Sequence, residues 1–370
     1  MELSPDDVEQ LRATVGDARV IAIGESAHFV REYHVLREQM VRFLSEQLGF
    51  TTVALESGFS EGLAVRDWIH AGAGDPPADG LTYRFGECAE MRDLLVSLKD
   101  QQLDFWGLDL PGGLANAGPA LDHLDLHAPE LRQTLSPVRR LVGRFASAYT
   151  IPAFTAYREM ALIDRDALTL ALAEANARFD ATPRPRDETN TIARHELRMV
   201  TLLDQMLRAQ VAAVEGSTAH AGLNIRDAAM ARTVEWILDR TPGRVIVLAA
   251  NSHIQRRHPM FEVLGSHLSA LLGEQYRAIG VTAEAGQVAT RRLAPDAPAM
   301  AETVLVDLEP PAEGSVERLG PGLHDTRTST ADKIRNLDLY TEGPVAEFFD
   351  AVACVPISTP TEQALWTGGR

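Results

Sequence analysis

The residues best suited to moving protons in this chain are two histidines and a set of carboxylates, and they recur at one kind of place. Glu25 and His28 stand three apart directly after the apolar run Val20-Ile21-Ala22-Ile23 and Gly24. Glu56 follows the run 50–55, Asp109 follows 103–108, and Asn251-Ser252-His253 follows 244–250. A histidine titrates near neutrality, so a carboxylate that fixes its tautomer lets it take a proton from water or a hydroxyl. Two histidines can share the roles of base and acid. Taken singly, each carboxylate also reads as a helix cap and each histidine as a backbone-satisfied side chain. Four polar strand ends that meet form a stronger pattern than any one of them.

Three chemistries compete for these residues. Gly24-Glu25-Ser26-Ala27-His28 approaches the G-x-S-x-G nucleophile elbow, with Ser26 as nucleophile and His253 as base, but a histidine at the fifth position is bulky for so tight a turn. Glu25-x-x-His28 with Glu56 and His253 offers two His and two carboxylates, a donor set suited to zinc or iron. In di-iron bundles, however, Glu-x-x-His occurs twice and on helices, whereas here it occurs once with these partners and on a turn. The third reading, which we adopt, is a metal-free and cofactor-free His/Glu site that activates water or a substrate hydroxyl.

The elements that must position these groups can be read from periodicity. A helix over 5–15, a strand over 19–23, a helix over 30–48 stopped by Gly49 and a strand over 50–55 make a βαβ unit, whose right-handed crossover renders the strands parallel. Helices over 60–70 and 87–101 flank the loop 71–80, and 103–108 is a third strand. In an open parallel sheet, ligands bind outside the carboxyl ends of the strands, so Glu25, His28, Glu56 and Asp109 should share one edge. From 111 to about 216 the pattern is helical without a convincing strand: pieces at 119–127, 129–149, 152–180 and 195–215, with 181–189 as an exposed connection. This insertion either shapes the substrate site as a lid or covers a sheet face. The alternation resumes with a helix over 225–239, a strand over 244–250, a helix over 261–272 and a strand over 276–283. Weaker strands follow at 303–308 and 351–357. The fold class is thus α/β, a mostly parallel sheet flanked by helices, with a helical insertion subdomain covering the cleft. The expected organisation is an α/β core in two parts (1–112 and 216–300), the insertion (113–215) and a C-terminal extension completing the core (301–370).

Composition excludes several classes of function. The 370 residues carry 35 basic and 52 acidic side chains, a net charge of −17, which disfavours a nucleic-acid partner. Cys88 and Cys354 lie far apart with no CxxC or Cys/His spacing, so neither a disulfide framework nor structural zinc is suggested. No apolar run approaches a membrane span, and Ser4-Pro5-Asp6-Asp7 reads as a helix start where a signal peptide needs basic and then apolar residues. A cytoplasmic protein with no membrane partner is expected. No Gly-rich phosphate loop follows a strand. Trp68, Trp106, Trp236 and Trp366 read as core or cleft wall.

Several stretches resemble, in order and spacing, the motifs of the erythromycin esterase family, which also includes proteins labelled as succinoglycan biosynthesis proteins. These are Gly24-Glu25-Ser26-Ala27-His28, the strand Gly49-Phe50 to Ala54-Leu55-Glu56, Asn224-Ile225-Arg226-Asp227-Ala228-Ala229-Met230-Ala231, Val247-Leu248-Ala249-Ala250-Asn251-Ser252-His253-Ile254 and the tail Phe349-Asp350-Ala351-Val352. The resemblance covers most of 19–281. It implies an α/β sheet with a helical subdomain, a cleft between them, and hydrolysis of a macrolide lactone without an obligatory metal. By position it makes His28 the general base that activates water, with Glu25 and Glu56 orienting it or sharing protons. His253 would assist across the substrate, and Arg37 and Arg226 would reach into the cleft. Asp109 and Asn251 complete the expected substrate contacts. Read physically, either arginine could stabilise an oxyanion or pair with Glu25 or Glu56, the ion pair being favoured for Arg226. One departure matters: the family's strand-end motif reads His-Asn-x-His, and here Ala250 takes the place of the first histidine. The same site without a competent water could instead abstract a proton from a polyketide and expel hydroxide, a dehydration followed by ring closure. A non-catalytic small-molecule-binding protein is the third alternative.

Overall fold

A computed structural model describes residues 3–217 and 223–364, so Trp366 falls outside the described residues. The first helix, α1 (Pro5–Val15), opens on a capping box in which Ser4 and Asp7 satisfy each other's backbone N–H groups, with proline at the first helical position. The strand β1 (Val20–Ile23) is buried at all four positions. Next comes α2 (Arg31–Leu48), which ends at Gly49 in the left-handed conformation (φ +70°) that glycine adopts without penalty. After it come β2 (Phe50–Gly58), α3 (Phe59–Ala71), α4 (Ala89–Asp100) and β3 (Asp104–Asp109). The strand-free stretch then supplies α5 (Gly118–His127), α6 (Arg132–Val142), α7 (Thr150–Glu159), α8 (Leu162–Ala181) and α9 (Glu188–Val214). The helix expected over 152–180 is two helices, parted where Met160 and Ala161 turn extended; neither Pro nor Gly marks the break.

The alternation resumes with α10 (Ile225–Leu238), β4 (Arg244–Leu248), the single turn α11 (Asn251–Ile254), α12 (Leu264–Leu272) and β5 (Tyr276–Leu293). β5 runs ten residues beyond the strand expected over 276–283, because its second half leaves the parallel sheet and pairs antiparallel with β6 (Ala301–Asp307). Beyond lie β7 (Gly322–Asp325), the hairpin β8 (Lys333–Asn336) and β9 (Leu339–Glu342), α13 (Val345–Phe348) and β10 (Ala351–Ser358). The short strands β7, β8 and β9 carry too few alternating apolar residues to be read from sequence.

Strand order is β3-β2-β4-β1-β5-β10-β7, parallel throughout except that β7 runs antiparallel to β10. The register brings the site together. Ile23 and Leu55 both stand beside Leu248 of the intervening strand, so the residues just beyond them, past the end of β1 and in the last residues of β2, come to the carboxyl edge side by side. The chain passes from β1 to β2 over the place later filled by β4, and from β4 to β5 across β1. Such a reversal of direction opens a crevice at the carboxyl edge.

Two apolar clusters fill the molecule, one on each sheet face. One packs α1, α2 and α4 against Ile21, Ile23, Val53, Leu55, Ile246 and Ile279. The other joins Val20, Ala22, Ala54, Val245 and Val247 with α10 and, without interruption, with the buried residues of α5 to α9. The helical stretch therefore shares its core with a sheet face. Phe59 stacks on Trp106 inside that core, Trp236 packs edge-on against both, and Trp68 is buried with its indole N–H on the Gly74 carbonyl, which places these three tryptophans in packing roles. No described helix is long and apolar enough to cross a membrane.

Candidate active site

At the end of β1 the chain turns sharply, with Gly24 directly beneath Asn251. A Cβ at Gly24 would lie 1.9 Å from Asn251 Oδ1, so only glycine fits. Glu25 and His28 follow, and Phe29 takes a positive φ of 59°. That turn is pinned from outside by the C-terminal residues: the Thr361 N–H donates to the Phe29 carbonyl, the Arg31 N–H to Thr359, and the Leu337 N–H to Ser26. The late strands and the tail thus hold a loop more than three hundred residues earlier in the chain.

Glu25 is buried and makes two contacts in opposite directions. Its Oε1 lies 2.8 Å from His28 Nδ1 and its Oε2 lies 2.9 Å from Arg37 Nη1. Burial alone would raise its pKa, but the Arg37 guanidinium and the His28 bond overcome it and hold the carboxyl at about 2. An ionised Glu25 accepts the Nδ1 proton of His28, which leaves Nε2 as the ring's acceptor. The His28 side chain is 40 % exposed, edge-on to Phe85, and its Nε2 has no partner among the described residues. It combines a fixed tautomer, an open acceptor nitrogen and access to solvent.

Arg37 does not reach into the cleft as expected. It is 1 % exposed, and beyond Glu25 it donates to the carbonyls of Gly24 (2.9 Å), Ile23 (3.1 Å) and Ala249 (2.6 Å). It caps the open carboxyl ends of β1 and β4 while fixing Glu25. Asn251 is also corrected: its side chain exchanges two hydrogen bonds with the Val281 backbone, at 2.9 and 3.1 Å, and is buried away from any substrate. Ser26 bonds the buried Tyr33 hydroxyl at 2.8 Å and has no histidine partner, which leaves the serine-nucleophile reading without its base. Accordingly, Ser26→Ala should leave kcat within about threefold of wild type, since it removes no group placed for acid–base work; a dead Ser26→Ala in steady-state assays would overturn this.

The opposite wall is a charge network. Arg226, in the first turn of α10, donates from Nη2 to Glu56 Oε1 (2.7 Å) and Asp109 Oδ2 (2.6 Å), and from Nε to both Asp109 oxygens (3.1 Å). Asp109 is fully buried and also accepts from the Leu110 N–H and the Tyr83 hydroxyl, so it holds Arg226 and is not itself a substrate contact. Glu56 Oε2 accepts the Ala250 N–H at 2.7 Å, and its Oε1 lies 3.2 Å from His253 Nε2. Despite burial, His253, Arg226 and His28 keep the Glu56 carboxyl well below its ordinary range.

His253 sits between carboxylates. Asp227 takes Nδ1 at 2.8 Å and Glu56 faces Nε2, and against the opposing effect of burial these two raise the imidazole to about 10. Bonded through Nδ1 to Asp227 and facing Glu56 across Nε2, it is held as an imidazolium, an acid or electrostatic group and not a base. The Arg226 Nη1 contact at 3.2 Å then sets two cationic groups side by side among Glu56, Asp109 and Asp227. Because His253 is charged in the fold and ordinarily titrates at 6.5, its contribution to stability is complete below pH 6.5 and disappears as pH rises toward 10. Thermal melts from pH 6 to 10 should show a decline that His253→Gln flattens; parallel curves would show the imidazolium to be misassigned.

The structure thus brings Glu25, His28, Glu56, Arg226 and His253 to one sheet edge, and sets Arg37, Asp109 and Asn251 behind them. Two contributors were missed from sequence. Asp227 is legible only as an N-terminal acid of α10, capped by Asn224, yet its carboxylate turns to His253 and the Leu264 N–H. Tyr83 and Arg84 both have positive φ, 59° and 64°, an uncommon pairing that aims the Tyr83 hydroxyl at Asp109 and Arg226. No periodicity announces it. Among the described residues, no group of three or more His, Cys, Asp or Glu side chains is arranged to hold a metal ion.

A mainly parallel α/β sheet with its chemistry at the carboxyl edge defines the class, and comparison defines the family. Residues 45–351 match the erythromycin esterase family, and the chain belongs to it. It is 26 % identical over 395 aligned positions to the erythromycin esterase type II of Escherichia coli, covering 96 % of this chain and 94 % of the relative. To the type I enzyme of the same organism it is 25 % identical, with the same coverage. Among solved structures it resembles a mutant of the erythromycin esterase EreC in its open conformation, with a TM-score of 0.84 and 22 % identity over 97 % of this chain and 95 % of that one. A succinoglycan biosynthesis protein aligns with a TM-score of 0.75 and 19 % identity over 96 % and 92 %. The expected family and fold class are both borne out.

Proposed function

We propose that this protein is an ester hydrolase that opens the lactone of a macrolide-like small molecule by direct attack of water. The observation that carries this reading is His28: Nδ1 fixed by Glu25, Glu25 held ionised by Arg37, and Nε2 free at the cleft. Family membership and the two E. coli relatives, both erythromycin esterases, support the reaction class.

In the proposed cycle His28 Nε2 takes a proton from water as the oxygen attacks the ester carbonyl. The resulting oxyanion faces Arg226 Nη1 and the His253 imidazolium, whose charges are already in place and need no reorganisation. Collapse of the tetrahedral intermediate breaks the bond to the alkoxy oxygen, and the protonated His28 returns its proton to that leaving group. The products are a carboxylic acid and an alcohol, and one water is consumed. No step calls for a metal, so turnover should survive exhaustive chelation; activity abolished by EDTA and restored by one divalent ion would refute this part.

Ala250, where the family pattern has a histidine, offers only a methyl beside Glu56. Proton transfer in this scheme therefore falls to His28 alone, and His253 contributes its charge. The deciding experiment incubates the protein with a panel of macrolactones and polyhydroxylated polyketides and reads product mass. Gain of one water supports hydrolysis; loss of one water assigns the same site to elimination; saturable binding without product leaves a binding protein.

A further inference from the structure

Away from His28, Glu56 and His253, a half-open cavity of about 330 Å³ lies between α9, α10 and the approach to α12. Its floor is apolar, from Leu202 and Ile225, and its rim carries Arg198, Arg232, Glu262 and His267. The faces of α10 divide the work: Arg226 turns to the catalytic network, whereas Ile225 and Arg232 turn to the cavity.

The charges on the rim are unbalanced. Arg232 is paired with Glu235, one helical turn on, but Arg198 makes no ion pair or hydrogen bond among the described residues. Two guanidinium groups from adjacent helices thus line one cavity, and only that of Arg232 is engaged by a carboxylate among the described residues. Partial desolvation of its guanidinium and the neighbouring Arg232 both disfavour the charged form of Arg198. A bound anion removes that penalty, because a guanidinium presents a planar fork that carboxylates and phosphates match. Glu262, which lines the cavity from the segment before α12, would repel an anion, whereas the two arginines attract its head group and Leu202 and Ile225 offer apolar surface to its body.

We propose that this cavity is a second ligand site, distinct from the catalytic cleft, for a carboxylate or phosphate monoester carried on a short apolar chain. Isothermal titration calorimetry with hexanoate, hexyl phosphate, inorganic phosphate and hexylamine tests it on the full chain. At least one of the two anionic amphiphiles should bind, and whichever head group binds more tightly identifies the ligand's source. Inorganic phosphate should bind at least tenfold more weakly than hexyl phosphate, because it leaves the floor uncovered, and hexylamine should give no saturable heat. Arg198→Gln and Arg232→Gln, both on exposed helix faces, should each weaken the better ligand at least tenfold, while His28→Ala leaves it unchanged. No binding of either amphiphile, hexylamine binding as tightly as hexanoate, or affinity lost in His28→Ala and kept in both arginine variants would overturn the proposal.

Discussion

Replacing His28 with alanine should lower turnover of a hydrolysed macrolactone by about 10²–10⁴-fold with little change in KM, the amount that positioned acid–base catalysis supplies. That range corresponds to roughly 3–5 kcal/mol of transition-state stabilisation. The loss should fall on kcat because, in the proposed cycle, the imidazole acts on a proton in flight and has no part in binding ground-state substrate. The fold should be unaffected, since the ring is 40 % exposed and its removal leaves Glu25 still paired with Arg37. Steady-state kinetics beside a thermal melt check both halves. A His28→Ala protein with near-wild-type kcat, beside an inactive Ser26→Ala, would require the roles to be reassigned.

Much of this arrangement was legible in the chain because it depends on where strands stop. Glu25, Glu56 and His253 each follow a β-branched run, and a parallel sheet aligns such ends without further information. What could not be read is direction behind the edge. Arg37 lies on α2 among Tyr33, Leu36, Met40 and Leu44, which places it on the buried face. Whether it points out of the strand ends or into them depends on how α2 docks. Asn251 fails for the same reason, because its partner is the backbone of a strand thirty residues later. Tyr83 depends on two consecutive left-handed residues with no glycine to mark them. The pinning of the His28 turn by Leu337, Thr359 and Thr361 joins residues too distant in sequence for any local pattern to record.

Substituting Arg37 with methionine should severely damage the folded state, although the residue is almost wholly buried. Methionine keeps most of the stem's volume, so the effect isolates the guanidinium. Its loss leaves three strand-end carbonyls without that donor and a buried Glu25 carboxylate without its counter-charge. Removing one partner of a buried ion pair costs about 3–5 kcal/mol, because the survivor stays desolvated. Glu25 can escape part of that cost by binding a proton, and its hold on the His28 tautomer then weakens. The pH signature follows from the sign of the shift. In the wild type, Glu25 sits at about 2 against an ordinary 4.5, so its stabilisation is complete above pH 4.5 and is lost as pH falls toward 2. In Arg37→Met that acid-side loss should shrink, because there is less stabilisation left to lose, while stability at neutral pH drops. The double variant Arg37→Met/Glu25→Gln should recover part of the deficit, since it removes the orphaned charge, yet remain catalytically impaired. Denaturant melts from pH 3 to 7 on the three proteins decide it, and an Arg37→Met protein as stable as wild type at neutral pH would show that the strand-end cap does not carry the weight assigned to it.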